Sequence, residues 1–273
     1  MGIHPDWVWH CNQVNELWVS WKTHAEMFKE AGVTCPIQVI PQCMDMDFKP
    51  YRSFMIPNFE GFLFYSIFQW TERKNPKKLL QTYWRTFEGK DDVALLLKVY
   101  RSNFSDREQE AIRQDIYQWK REQYQSHYPK VFLYLGSLTH EEIMRLHATG
   151  DCFISLHRGE GWGMPQMEAM ASGKPIISTN FGGIHEWLDN QHGWLIPYNL
   201  TSLFGMGHIP WYTSQQQWAD PDYQKAGEAM LEAYSNRQLT QQKGQEAQKF
   251  VHSKFNLQAI GRIMKKRLET IHI

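Results

Sequence analysis

From residue 61 onward, uninterrupted apolar runs of five to eight residues alternate with segments of helical length, and this pattern restricts the fold more than any other feature. A strand with one wet face alternates apolar and polar residues, whereas a strand covered on both faces reads as a continuous apolar run. The runs are FLFYSIF (62–68), VALLLKVY (93–100), VFLYLGSL (131–138), CFISLH (152–157), PIIST (175–179) and GWLIPY (193–198). Between them lie a helix over 75–89 with Pro76 in its first turn, a long polar helix over 106–126, and a capped helix over 139–150. A further helix starts at Pro165 and a short one spans 182–188. Thr139 and Glu142 have capping-box spacing, and Gly150 is a plausible stop. The expectation is an α/β fold, a Rossmann-like parallel sheet with helices on both faces, over residues 61–254. The tail from Tyr223 is helical, and 255–273 holds its clearest amphipathic stretch.

Residues 1–60 follow another pattern. ELWVSW (16–21) and IQVIP (37–41) are short strand candidates flanking a helix over 22–32, and 42–54 reads as an irregular connector. Two strands and a helix cannot bury a core of their own, so this piece must dock onto something larger.

The balance of 29 basic and 29 acidic residues gives no basic excess for nucleic acid or an anionic membrane. No apolar run approaches the ~20 residues of a membrane span, and the first residues lack the pattern of a signal peptide. Four cysteines (Cys11, Cys35, Cys43, Cys152) fit no zinc spacing or disulfide framework, which points to a reducing compartment, the cytoplasm. Twelve tryptophans and a 14% aromatic share imply a large aromatic core, with a carbohydrate-stacking surface as the other reading.

The stretch HRGEGWGMPQMEAMASGKPIIST (157–179) carries the chemistry. In parallel sheets ligands bind beyond the carboxyl ends of the strands, and the run 152–157 delivers the chain to that edge. Gly159, Gly161 and Gly163 permit positive backbone angles and close approach to a ligand. The helix beginning at Pro165 turns the amides of 161–164 outward, an arrangement that favours a phosphate. Glu168, one turn into that helix, suits a ribose diol, and Glu160 in the loop lies where a sugar would sit. The residues alone leave open a plainer reading, in which Glu168 caps the helix and Glu160 is solvated. His157 reads as a hydrogen-bonding or structural residue, and His185 as a helix-face residue. There is no H-E-x-x-H or D-x-D metal pattern.

The segment EGWGMPQMEAMASGKPIISTNFGGIHEW (160–187) resembles the Glu-x7-Glu signature of retaining glycosyltransferases of family 4, which have the GT-B fold. VIPQCMDMDFKP resembles that family's interdomain connector, RKNPKKLL its donor-side lysine loop, and 131–157 the strand–helix–strand before the signature. The resemblance implies a nucleotide diphosphate sugar donor, no metal, and an acceptor (carbohydrate, lipid or protein) that these residues do not specify. By position, Glu168 holds the ribose, Glu160 the transferred hexose, and Gly161, Trp162, Gly163 and Met164 supply amides to sugar and phosphate. Lys74 stabilises the leaving diphosphate, and Gly182 and Gly183 match the family's paired glycines. Where the family often has an arginine, this chain has Gln69, leaving the phosphate clamp one charge short; Arg158 or Lys98 could substitute.

The resemblance also implies that 1–60 is the remnant of an acceptor-side domain, with a partner chain or self-association replacing the rest and 255–273 packing back against it. A noncatalytic nucleotide-sugar or glycan-binding module acting with a partner subunit is the alternative. A nicotinamide-dependent oxidoreductase is disfavoured, because no G-x-G-x-x-G follows the first strand of the sheet.

Overall fold

The computed structural model describes residues 3–45, 51–213 and 215–271. The chain opens with α1 (Pro5–Cys11), which the sequence reading did not anticipate, then β1 (Leu17–Val19), α2 (Lys22–Glu30) and β2 (Ile37–Val39). β1 and β2 pair in parallel, Leu17 opposite Ile37. The expected connector is described as far as Asp45 and again from Tyr51; its residues 46–50 lie outside the described residues.

The main body is built from β3 (Phe62–Gln69), α3 (Pro76–Thr86), β4 (Val93–Tyr100), α4 (Asp106–Gln123), β5 (Lys130–Tyr134), α5 (His140–Thr149), β6 (Cys152–Ser155), α6 (Met164–Ala171), β7 (Ile176–Thr179) and β8 (Gly193–Ile196). β3 to β8 form one parallel six-stranded sheet in the order β5-β4-β3-β6-β7-β8. An antiparallel ribbon, β9 (Tyr198–Ser202) with β10 (Gln217–Pro221), follows, and α7 (Tyr223–Ser235), α8 (Arg237–Lys254) and α9 (Leu257–Leu268) close the chain. The ribbon is a departure from the expected α/β alternation; β9 is polar and exposed, so hydropathy gave it no signal.

Side chains alternate across the strands into two cores. Phe62, Phe64, Leu95 and Leu97 pack with Tyr83 and Trp84 of α3, Ile112 of α4 and Met230 of α7. Tyr65 and Phe153 pack with Met167 and Met170 of α6 and Val251 of α8 on the other face. Most of the large aromatic residues of the sheet and α3 are buried completely, each contributing roughly 1.5–3 kcal/mol. Trp7, Trp9 and Trp211 are exposed, so the aromatic-core reading does not extend to the chain's first helix or to the segment between β9 and β10. Thr139 and Glu142 form the expected capping box on α5.

The strand order determines where a ligand can sit. β3 is followed by β4 on one side, whereas the chain later crosses back to lay β6 on the other, so the loops after β3 and β6 leave in opposite directions and a crevice opens between them. β3 pairs with β4 along all eight residues but with β6 only at Phe64–Cys152 and Tyr65–Phe153, so these two strands part toward their carboxyl ends. Ser66 Oγ donates to the Ile154 carbonyl (2.6 Å), supplying one cross-strand bond just past the last paired residues.

The first forty-five residues dock on the body by apolar and polar contacts: Met44 is buried in the second core, with Trp21, Ile40 and Cys43 packed against it. The Thr23 amide and hydroxyl both donate to Glu186 Oε1 (3.1 and 3.0 Å), Arg267 of α9 donates to Glu16 (2.9 and 3.1 Å), and the Met44 amide donates to the Phe255 carbonyl (2.9 Å).

Candidate functional site at the strand switch

The loop after β3 makes a short 3-10 turn at Glu72–Lys74 and ends at Asn75, whose left-handed backbone (φ 59°, ψ 48°) reverses the chain into Pro76 at the start of α3. Asn75 is buried; its amide donates to the Leu156 carbonyl (2.9 Å) and to Tyr223 Oη (3.0 Å), and its side-chain oxygen accepts from Arg158 Nη2 (3.2 Å). The Arg158 amide donates to the Arg73 carbonyl (2.8 Å), joining the loops after β3 and β6 across the crevice.

Lys74 and Glu160 meet there in a direct ion pair, each side chain about nine-tenths buried. Arg73 stands behind it, donating to the Gly159 carbonyl (2.8 Å) and lying 3.9 Å from the Glu160 carboxylate. Burial alone would raise the Glu160 carboxyl, but Lys74, with His157 and Arg73, more than offsets this and holds it down at about 2. Burial pushes the Lys74 ammonium down, against the pull of Glu160. Glu160 also accepts from the Gly161 amide (3.0 Å).

Gly163, the residue before α6, takes φ +83°, and a Cβ there would lie 2.3 Å from Ile184. Gly159 and Gly161 do not adopt positive φ, so the expected left-handed freedom is used at one of the three loop glycines. The paired glycines have a different task. A Cβ on Gly182 would lie 2.0 Å from the Glu160 carbonyl, and one on Gly183 2.3 Å from the Gly161 carbonyl, to which the Gly183 amide donates (2.8 Å). Backbone is therefore packed on backbone, and the position of Glu160 depends on two residues without side chains.

The other predicted positions are distributed as follows. The Trp162 ring is buried and its Nε1 donates to Met167 Sδ (3.3 Å); Met164 is partly buried against the same core. Gln69 donates to the Arg101 carbonyl (2.8 Å) and shares a cavity of about 350 Å3 with Lys74, Lys98 and Pro165. Arg158 is turned away from it: its guanidinium pairs with Asp220 of β10 and lies over the rings of Phe204 and Trp218, so its charge is already matched. Glu168 faces α5, with Oε2 3.5 Å from Nε2 of the fully buried His147, whose Nδ1 is 3.0 Å from Tyr65 Oη. Burial pushes His147 toward its neutral form.

His157 is hydrogen-bonded within the fold. It is fully buried and held at about 4 by desolvation, with Nε2–H donating to the Phe181 carbonyl (3.0 Å) and Nδ1 accepting from Ser155 Oγ (3.0 Å). His185 contacts Thr23 instead of only presenting a helix face. Asn75, Arg73, His147, Asp220 and Tyr223 were not singled out from sequence; among them only Asn75, an asparagine directly before a helix-starting proline, carries a local signal. Among the described residues no group of three or more His, Cys, Asp and Glu side chains converges as a metal site, and no helix is long and apolar enough to cross a membrane.

A doubly covered parallel sheet with a buried acid–lysine pair and a glycine-bounded helix start at its strand switch makes this a Rossmann-like domain with its crevice where such folds bind ligands. Residues 63–203, just over half of the chain, match the family described as glycosyl transferases group 1, and the chain belongs to that family. Over 66 residues it is 35% identical to the sulfoquinovosyl transferase SQD2 of Arabidopsis thaliana, a match covering 24% of this chain and 12% of that protein. Among solved structures it is similar to Anabaena HepE in complex with UDP and glucose (TM-score 0.71, 16% identity, 97% of this chain and 66% of that one). It is also similar to sucrose-phosphate synthase from Thermosynechococcus elongatus (TM-score 0.69, 15% identity, 96% and 59%). The chain thus spans less than two thirds of the length of these relatives, and at such identities the structural likeness is one of fold.

Proposed function

We propose that this chain binds a nucleoside diphosphate sugar in the crevice between the loops after β3 and β6, as the donor side of a retaining, metal-independent glycosyltransferase of family 4. The observation that carries this reading is the meeting of buried Lys74 and Glu160 beside the start of α6, at the point where the strand order reverses. An ammonium has three donors, so Lys74 can hold Glu160 and still reach a phosphate oxygen. Glu160, ionised far below neutral pH, accepts hydroxyls of the transferred hexose, and Glu168 accepts a ribose diol. As the glycosidic bond breaks, charge builds on the departing diphosphate, where Lys74 and the Gly161–Met164 amides oppose it, and the acceptor enters on the same face. The UDP and glucose named with HepE support this class of donor. Four free cysteines are in keeping with a cytoplasmic setting.

Calorimetric titration with UDP, GDP and ADP tests the reading, with Glu168→Ala as control. Saturable binding of one nucleotide, weakened by roughly 1–3 kcal/mol in the variant, is the expected result. Unchanged affinity in the variant would remove the ribose role, and no binding by the wild-type chain would remove the donor site itself.

A further inference from the structure

Lys98 is the buried cation that the ion pairs of the crevice leave over. It is 5% exposed on β4, and among the described residues it has no carboxylate partner. Aromatic rings take that place: its Nζ lies 4.9 Å from the centre of Phe104, 5.7 Å from Tyr100 and 5.9 Å from Tyr134. Ring faces attract an ammonium but are not conventional hydrogen-bond acceptors, so the N–H donors of Lys98 are left to the cavity it lines, while burial pulls its pKa down. The same cavity of about 350 Å3 that holds Gln69, Lys74 and Pro165 is walled by Lys98, with Tyr100, Phe104 and Leu138 around it.

Strand order separates the tasks of the two lysines. Lys74 and Glu160 belong to the β3–β6 crevice, whereas Lys98 pairs with Ile67 of β3 on one side and Tyr134 of β5 on the other. At the ~4.8 Å spacing of neighbouring strands, β4 lies about 10 Å from β6. Lys98 also sits two residues short of the end of its strand, below the loops where a diphosphate would meet Lys74 and the start of α6. The cavity runs from Lys74 and Pro165 to Lys98, Tyr100 and Leu138, so a nucleotide anchored by its phosphates at the crevice has room for its base on the β4–β5 side.

We infer that Lys98 reads the nucleobase, donating to a ring carbonyl oxygen and so selecting uracil or guanine over adenine, which has none. The inference rests on the donor-site reading above and assigns to Lys98 base selection, not a substitute charge on the diphosphate. Set at the position that carries O4 in uracil, O6 in guanine and an amino group in adenine, the donor loses its partner with adenine, which is how a polar site rejects a ligand that lacks the matching group.

The test is calorimetry on the full chain with UDP, GDP and ADP, comparing wild type with Lys98→Met, and thermal denaturation to establish that the variant folds. The expected result is a wild-type preference for UDP or GDP over ADP of roughly tenfold or more, abolished in Lys98→Met because the favoured nucleotide weakens while ADP does not. Equal weakening of all three would place Lys98 on the phosphates and overturn the inference, as would a wild-type preference for ADP. An unchanged preference would make it a structural lysine. Lys98→Gln, whose amide can also accept from adenine, is the second variant should Lys98→Met fail to fold. It should move the preference toward ADP, and an unmoved ratio there overturns the inference equally. Wild-type protein that binds no nucleotide would overturn the donor site and this inference together, whereas binding with an unmoved ratio overturns this inference alone.

Discussion

The strand-switch crevice and the docked first forty-five residues are held by opposite means. The crevice is backbone laid on backbone around a buried ion pair, with glycines where any side chain would collide. The amino-terminal unit is attached by side chains: Met44, Trp21 and Ile40 pack against the second core, Thr23 donates to Glu186, and Arg267 donates to Glu16. The first arrangement tolerates almost no change, because a backbone clash cannot relax by choosing another rotamer; the second tolerates more at the Thr23–Glu186 contact, which water can replace, than at buried Met44.

The sharpest way to break that contrast is to unpair the buried acid. Lys74→Met should destabilise the fold by about 3–5 kcal/mol, since Glu160 is left charged and buried with only the more distant Arg73. Adding Glu160→Gln should restore much of the loss in a denaturant-unfolding cycle; strict additivity of the two changes would show that the pair is not coupled. Gly182→Ala should cost about 3 kcal/mol, from its positive φ and the contact with the Glu160 carbonyl, and should weaken nucleotide binding as well. Wild-type stability in that variant would mean that the loop moves freely.

Acid should also act on the crevice. His157 sits at about 4, against an ordinary 6.5, so the folded state takes up its proton later than the unfolded one. Its contribution is complete above pH 6.5 and is lost as pH falls from there toward 4, by about 3 kcal/mol in all. His147 and His24, also lowered by burial, act in the same direction. Unfolding free energies at pH 7 and pH 4.5 should therefore differ less in His157→Gln than in wild type, and an equal difference would remove His157 as a source. At the amino-terminal unit the effects shrink. Glu186→Ala, which removes the acceptor for the first turn of α2, should cost about 1 kcal/mol, and Glu16→Gln about 1 kcal/mol or less. Hydrogen exchange of the α2 amides should report the first change without disturbing those of β3; protection lost in both would mean that the two regions unfold as one.

The parallel sheet was legible because burial on two faces leaves continuous apolar runs, which is a local property of the chain. The capping box of α5 and the proline starts of α3 and α6 were legible for the same reason. α1 and the β9–β10 ribbon were not: the first is a seven-residue helix mixing polar and aromatic residues and the second has an exposed strand with no alternation. At the site, Glu160, Glu168 and the glycines could be read from spacing, and Lys74 only through the resemblance. What escaped was every partner far along the chain. Nothing near Glu168 announces His147, and nothing near Arg158 announces Asp220, which satisfies the charge that the sequence left available for a phosphate.

Asn75 gives this arrangement a property visible to genetics. One buried side chain touches the chain after β6, the arginine of that loop and the tyrosine that begins α7, and the backbone it fixes carries Lys74. Asp220 holds both that arginine and that tyrosine. A selection for chains that have lost the use of Lys74 should therefore return lesions at Asn75, Asp220 and Tyr223 as readily as at the lysine. Second-site revertants should cluster among these same residues rather than around the ligand.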